Sequence, residues 1–164
     1  MFEKTFHFCP VGLAHVSVDG SFIRVNKRLC DFLGYSDEEL TKLTFQELTA
    51  PDYLDEDLSY LERLMAGDID NYAIEKRYVR RDGELVWAKL TVSLVRDQHN
   101  NPDYFISIVE DIDEKKRIQA ELFQVDALFS KIVSAFSDRT FIWVATPDLT
   151  KLQYVNDGYS NIFG

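Results

Sequence analysis

The stretch Tyr72–Asp111, YAIEKRYVRRDGELVWAKLTVSLVRDQHNNPDYFISIVED, decides the fold. It divides into three runs, Tyr72–Arg81, Glu84–Arg96 and Tyr104–Asp111, rich in the β-branched and aromatic residues that favour strands. Asp82-Gly83 between the first two is a hairpin signal, because Gly supplies the positive φ that tight turns need. The turn-forming string HNNPD, His99–Asp103, separates the second from the third. Short turns between long runs predict antiparallel neighbours, since a parallel pair needs a long crossover.

Upstream, Val11–Val18 and Phe22–Val25 read as two more strands around an Asp19-Gly20-Ser21 turn. Between the two groups lie short helical signals. Asn26 reads as an N-cap and Gly34 as the C′ residue of a first helix. Ser36–Glu39 is a capping box, with Leu40 and Leu43 as its apolar pair. Thr44–Leu48 is ambiguous. Leu54, Leu58, Leu61 and Met65 define a further helix over Leu54–Met65, stopped by Gly67-Asp68. Runs of one element type rather than strict alternation predict an α+β fold: a five-stranded antiparallel sheet flanked by short helices. Phe2–Phe8 reads as an apolar lead-in closed by Pro10.

From Asp113 the period changes. Ile118, Leu122, Val125, Phe129, Ile132 and Phe136 form an a/d heptad seam, and Asp113 is placed to cap the helix start. So narrow a seam favours a parallel helix pair between two subunits. The alternative is packing within the chain, for which Phe123, Leu128 and Val133 widen the stripe. Beyond it the first strands recur: Val25–Gly34 and Val155–Gly164 each hold Val-Asn, seven residues and Gly. Val16–Arg24 (VSVDGSFIR) matches Val144–Gln153 (VATPDLTKLQ) with one insertion. The expected organisation is therefore one domain over 1–112, a linker helix over 113–137, and the opening of a second copy over 138–164. That last stretch is too short to bury a core and should pair with another surface or be poorly ordered.

Composition narrows the function. Among 164 residues the formal net charge is −10, against a nucleic-acid surface, which needs clustered Lys and Arg. The acids between Asp37 and Asp70 read as a solvated helical face, the alternative being a docking surface for a basic partner, and the string DYLDED at 52–57 as a solvated helix start rather than a metal site. Cys9 and Cys30 have no metal spacing and read as inert. With no signal peptide and only short apolar runs, the expected compartment is the cytoplasm. No phosphate-binding glycine loop, zinc helix or nucleophile elbow occurs, so no catalysis is expected.

Taken together, Pro10-Val11-Gly12-Leu13-Ala14, Asp19-Gly20, Asn26, Leu33-Gly34-Tyr35-Ser36, Glu38-Glu39-Leu40, Asp82-Gly83, Trp87 and Asp111-Ile112-Asp113 resemble a PAS domain of the S-box type with its C-terminal PAC segment, over about residues 3–115. In place of the family's closing Asp-Ile-Thr this chain has Asp113, another capping residue. The resemblance implies a non-catalytic signal-sensing and dimerisation module, a homodimer that relays a change through its C-terminal helix. The effector, in the same polypeptide, would be a histidine kinase, a cyclic-di-nucleotide enzyme or a chemoreceptor. The alternative is a ligand-free dimerisation spacer.

The cofactor is left unknown, with flavin and haem not expected. The reactive Cys of the flavin-binding branch falls on Phe45, and its ring-binding amides on Tyr78, Ala88 and Val109. The helix that would supply a haem-ligating His has none over Leu54–Met65, His15 should face outward, and His7 and His99 read as surface groups. Strand alternation puts Ala88, Leu90 and Val92 on one face with Phe105, Ser107 and Val109. With Cys30, Phe45, Ile74, Lys76 and Tyr78 these would line a small-ligand pocket or a plain core. Lys76 shares the inner face with Ile74 and Tyr78. It would either hold an anion there or, as favoured, run its stem to the edge of the sheet. Trp87, Ile106 and Ile108 make the outer face apolar, for Phe2 and Phe6 to cover. Asp111, Asp113 and the heptad positions are the expected relay and dimer residues.

Overall fold

A computed structural model describes residues 2–135 and, as backbone, the short segments 143–145 and 152–155. The chain divides into Met1–Lys116 and Arg117–Gly164, which are treated separately. The first unit contains a five-stranded antiparallel sheet in the order β2-β1-β5-β4-β3. Its strands are β1 (Gly12–Ser17), β2 (Phe22–Val25), β3 (Asn71–Val79), β4 (Leu85–Arg96) and β5 (Pro102–Asp111). All three expected hairpins form, β1–β2, β3–β4 and β4–β5, and the chain returns from β3–β5 to put β5 against β1.

Helices cover the inner face: α2 (Lys27–Leu33), α3 (Asp37–Leu40), α4 (Phe45–Leu48) and α5 (Pro51–Ala66). Their starts follow local chemistry. Ser36 and Glu39 complete the reciprocal capping box expected for α3. A second one, Thr44 with Glu47, opens α4 and resolves the ambiguous Thr44–Leu48 segment. α5 begins three residues before Leu54 because Pro51 at N1 is preset for a helix and lacks the N–H that would go unpaired. Gly34 ends α2 in the left-handed region, with φ 80°. Leu29, Leu33, Leu40, Leu48 and Leu64 bury against Ala14, Val16, Leu90, Val92 and Phe105 to form the core.

Asn26 does more than cap. Its Oδ1 accepts from the Leu29 and Leu13 N–H groups, and its Nδ2 donates to the Phe6 and Val11 carbonyls. One fully buried amide thus joins α2 to β1 and to the N-terminal segment. That segment is a helix, α1 (Phe2–Phe8), not merely an apolar lead-in. Phe6 is buried on the outer face, 5.3 Å from the His15 ring and 4.5 Å from the Arg24 guanidinium. Glu3 pairs with Arg24 at 2.5 Å, and Tyr104 lies 5.0 Å from His15 on its other neighbour strand. Phe6 therefore covers part of the outer face as expected, while Phe8 is exposed.

The second unit holds the rest of α6 (Asp113–Ser134) and a two-stranded ladder, β6 (Trp143–Ala145) with β7 (Leu152–Val155). Its register repeats that of β1–β2: Trp143↔Val155 and Val144↔Tyr154, then a shift, then Ala145↔Leu152. The first hairpin has Ala14↔Val25 and His15↔Arg24, then a shift, then Val16↔Phe22. Val144 therefore corresponds to His15, one residue away from the sequence match with Val16. Phe136 and most of 138–164 lie outside the described residues.

Asn26→Ala orphans buried backbone groups on three segments and should cost about 3 kcal/mol or more, read as a lower urea midpoint. Burial, and secondarily Arg24, holds the His15 pKa below its ordinary value. The folded state therefore resists protonation, and its stability should be full above about pH 6.5 and decline as pH falls below it. Urea midpoints between pH 7 and 5 should fall more steeply in the parent than in His15→Phe. Parallel slopes would remove His15 from the account.

Candidate functional site

The inner face of β3 carries Tyr72, Ile74, Lys76 and Tyr78 toward α5. Lys76 does not run to the sheet edge, as favoured from sequence. It is fully buried, at 0% exposure, and meets Asp57 of α5, exposed by 1%. Its Nζ donates to Asp57 Oδ2 at 2.5 Å and to Thr49 Oγ1 at 2.7 Å. The Tyr72 hydroxyl donates to Asp57 Oδ1 at 2.7 Å. The ammonium also lies 4.4 Å from the Tyr78 ring centre and 5.5 Å from that of Phe45, a favourable cation–π arrangement. A buried ammonium needs a counter-charge, and Asp57 supplies it. Burial pushes the Lys76 pKa down while the Asp57 charge and hydrogen bond hold it up. Burial, then the Asp57 charge, pushes both tyrosine hydroxyls far up, so they act as neutral groups.

Asp57 also corrects the reading of 52–57 as a wholly solvated start. Asp52, Asp55 and Glu56 are exposed, but Asp57 is not. The helix presents Tyr53, Asp57, Leu61 and Leu64 to the protein; of the expected stripe Leu61 packs on the core, Leu54 and Leu58 are half-buried, and Met65 is exposed. The signal available in the sequence was Asp57 at helical spacing between Tyr53 and Leu64.

Beside the pair is a cavity of about 20 Å³, roughly room for one water. Of the residues expected to line a pocket, Phe45, Lys76, Tyr78, Leu90, Val92, Phe105, Ser107 and Val109 do so. Ile74 and Ala88 belong to the buried core without reaching the cavity, and Cys30 packs half-buried at the core's margin. Sequence reasoning missed Asp57 and Leu61 on α5, Tyr72 on β3, and Ala14, Val16, Phe22, Leu29 and Leu33 elsewhere around the cavity. Among the described residues no cluster of three or more His, Cys, Asp or Glu is placed to hold a metal.

The opposite face of the same strands carries the start of α6. Glu75 and Arg77 flank Lys76 and point outward. Lys116 of α6 pairs with Glu75, and Lys116 and Arg77 both stack on Trp87, at 4.7 and 5.5 Å. Tyr53, one turn before Asp57, meets Trp87 edge-on at 5.5 Å. The Trp87 backbone is held from both sides: its carbonyl accepts from Ile112 N–H, and its N–H donates to Asp113 Oδ1. Asp111 Oδ1 accepts the Asp113 N–H at 3.0 Å. Asp111 thus takes the helix-start role expected of Asp113, whose carboxylate ties α6 to β4. Lys76, Ala88 and Asp111 lie in one cross-strand row.

A profile of the PAS domain family matches residues 10–114. The chain belongs to the PAS domain family. The probable diguanylate cyclase DgcE of Escherichia coli is 48% identical over 118 residues, which are 72% of this chain and 11% of that protein. The sensor histidine kinase TmoS of Ectopseudomonas mendocina is 27% identical over 123 residues, 75% of this chain and 13% of the relative. This PAS chain therefore spans a small fraction of either. The crystal structure of a PAS domain from Colwellia psychrerythraea superposes with a TM-score of 0.64 at 18% identity, covering 69% of this chain and 95% of that one. The PAS domain is a sensory, non-catalytic module, and the cyclase and the kinase are enzymes through other domains.

Lys76→Ala or Asp57→Ala strands a buried charge and should each cost about 3–5 kcal/mol in urea unfolding. The double variant Lys76→Met/Asp57→Leu removes both charges and should lose far less. Additive losses would mean that the two side chains do not act as a pair.

Proposed function

We propose that this chain is the signal-input segment of a longer signalling protein, acting as a homodimer. A change at the buried Lys76–Asp57 pair, caused by a small ligand or a partner, reaches α6 through the joint at Trp87. The observation that carries this reading is the back-to-back arrangement on β3, where Lys76 grips α5 inside while Glu75 and Arg77 grip α6 and Trp87 outside. A shift of α5 moves Tyr53 against Trp87, whose backbone holds Ile112 and Asp113. Both sides of the joint thus bias the start of one helix, the element a relay needs.

Ile118, Leu122, Val125, Phe129 and Ile132 are between 42% and 62% exposed in the single chain, which supports a seam completed by a second subunit. The repeated hairpin register supports a second PAS copy beginning in 138–164. The output would follow it, and the relatives suggest cyclic-di-GMP or two-component signalling. Among the described residues no helix is long and apolar enough to cross a membrane, which is consistent with a cytoplasmic placement. The small cavity favours a second reading, a ligand-free dimerisation spacer. Native mass spectrometry separates them: a co-purifying small molecule supports sensing, and a bare core unresponsive to metabolites supports the spacer.

Leu122→Glu/Val125→Glu should convert a dimer to a monomer in light scattering while leaving the melting transition of the PAS core in place. A monomeric parent protein would remove the relay through paired helices.

A further inference from the structure

We propose that Lys76, Tyr72 and Thr49 form a receptor for a short monocarboxylate, which enters the core by taking the place held by the Asp57 carboxylate. This inference names a ligand for the signal-input reading and rests on it. The geometry around Asp57 is already that of a carboxylate site: an ammonium on one oxygen, a phenol hydroxyl on the other, and a threonine hydroxyl steadying the ammonium. None of these three groups needs the acid to be attached to α5.

Charge balance selects the ligand class. A cation would meet Lys76. A second anion entering beside Asp57 would leave one negative charge too many in a site closed to water. One carboxylate entering as another leaves keeps the core neutral. A neutral alcohol would leave the pair intact and gain only the existing cavity of about 20 Å³. A carboxylate that displaces Asp57 also gains the space of the departing side chain. Phe45, Leu61, Leu90 and Val92 line the apolar wall where its alkyl part would lie. The combined space fits roughly two to four carbons.

Asp57 has somewhere to go. Its helix neighbours Glu56 and Asp55 are exposed and lie at successive steps of about 100° from it around the helix, so Asp57 reaches water when α5 rolls by roughly a quarter of a turn. No side chain caps the start of α5. The roll would carry Tyr53 against Trp87, which is the displacement that the relay uses. Because Asp57 competes from within the chain at high effective concentration, free ligand binds the parent protein weakly, in the millimolar range.

The test uses sodium propionate, with sodium chloride and 1-propanol as matched controls. It is read as the melting temperature of the full chain and the Trp87 indole resonance. Propionate, and neither control, should shift both in the parent protein. Asp57→Ala should bind propionate at least about tenfold more tightly and recover melting temperature with it; Asp57→Asn, which keeps the shape without the charge, serves if the alanine variant does not fold. Lys76→Met/Asp57→Leu should not respond. An unresponsive parent, an equal response to 1-propanol, or a response retained by the double variant would each overturn the carboxylate assignment. With the α6 dimer intact, any of these overturns the assignment alone. A monomeric parent that still binds propionate overturns the relay and leaves the receptor standing.

Discussion

A charge cannot be closed inside this core without its opposite, and that constraint organises the structure around Lys76. An unpaired ammonium among Phe45, Leu90 and Phe105 would be prohibitively costly, so α5 must deliver Asp57 to it. Two hydrophobic surfaces could pack with α5 rotated or slid by part of a turn. An ion pair with a bound tyrosine on the second oxygen admits one seating. The pair thus sets the height and rotation of α5 on the sheet, and with it the size of the cavity. Replacing such a pair with apolar groups often leaves stability unchanged, so its contribution here is to position more than to strengthen.

The sheet ties that position to its outer face. Successive residues of a strand face opposite sides. Lys76 therefore cannot be buried without Glu75 and Arg77 facing out, where they hold Lys116 and Trp87. The start of α6 rests on these groups and on the backbone of Trp87. The core and the start of α6 are separated by one layer of backbone. Asn26 performs a comparable service at the other edge, where one side chain serves four backbone groups from α1, the turn before β1, β1 itself and α2.

Much of the fold was legible because its signals are local. The Asp82-Gly83 hairpin, the Asn26 cap, the Ser36–Glu39 box and the alternation in β4 and β5 depend on neighbours a few residues away. The Thr44–Glu47 box was equally local and went unread because α4 has a single turn. Eight of the expected pocket residues do reach the cavity. Cys30, Ile74 and Ala88 do not, since sharing a face differs from bordering a void. Alternation put Lys76 on the inner face, but its flexible stem leaves two endings open until a partner is known.

The five strands and their turns, the two faces of each strand and the Asn26 and Ser36 caps were determined by the sequence alone, because each follows from backbone geometry over short spans. Tertiary structure decided that Asp57 leaves its solvated neighbours to meet a lysine nineteen residues on, and that Asp111 rather than Asp113 receives the first N–H of α6. Those outcomes depend on which groups remain to satisfy one another once water is excluded. That becomes known only when α5, β3 and β4 are packed.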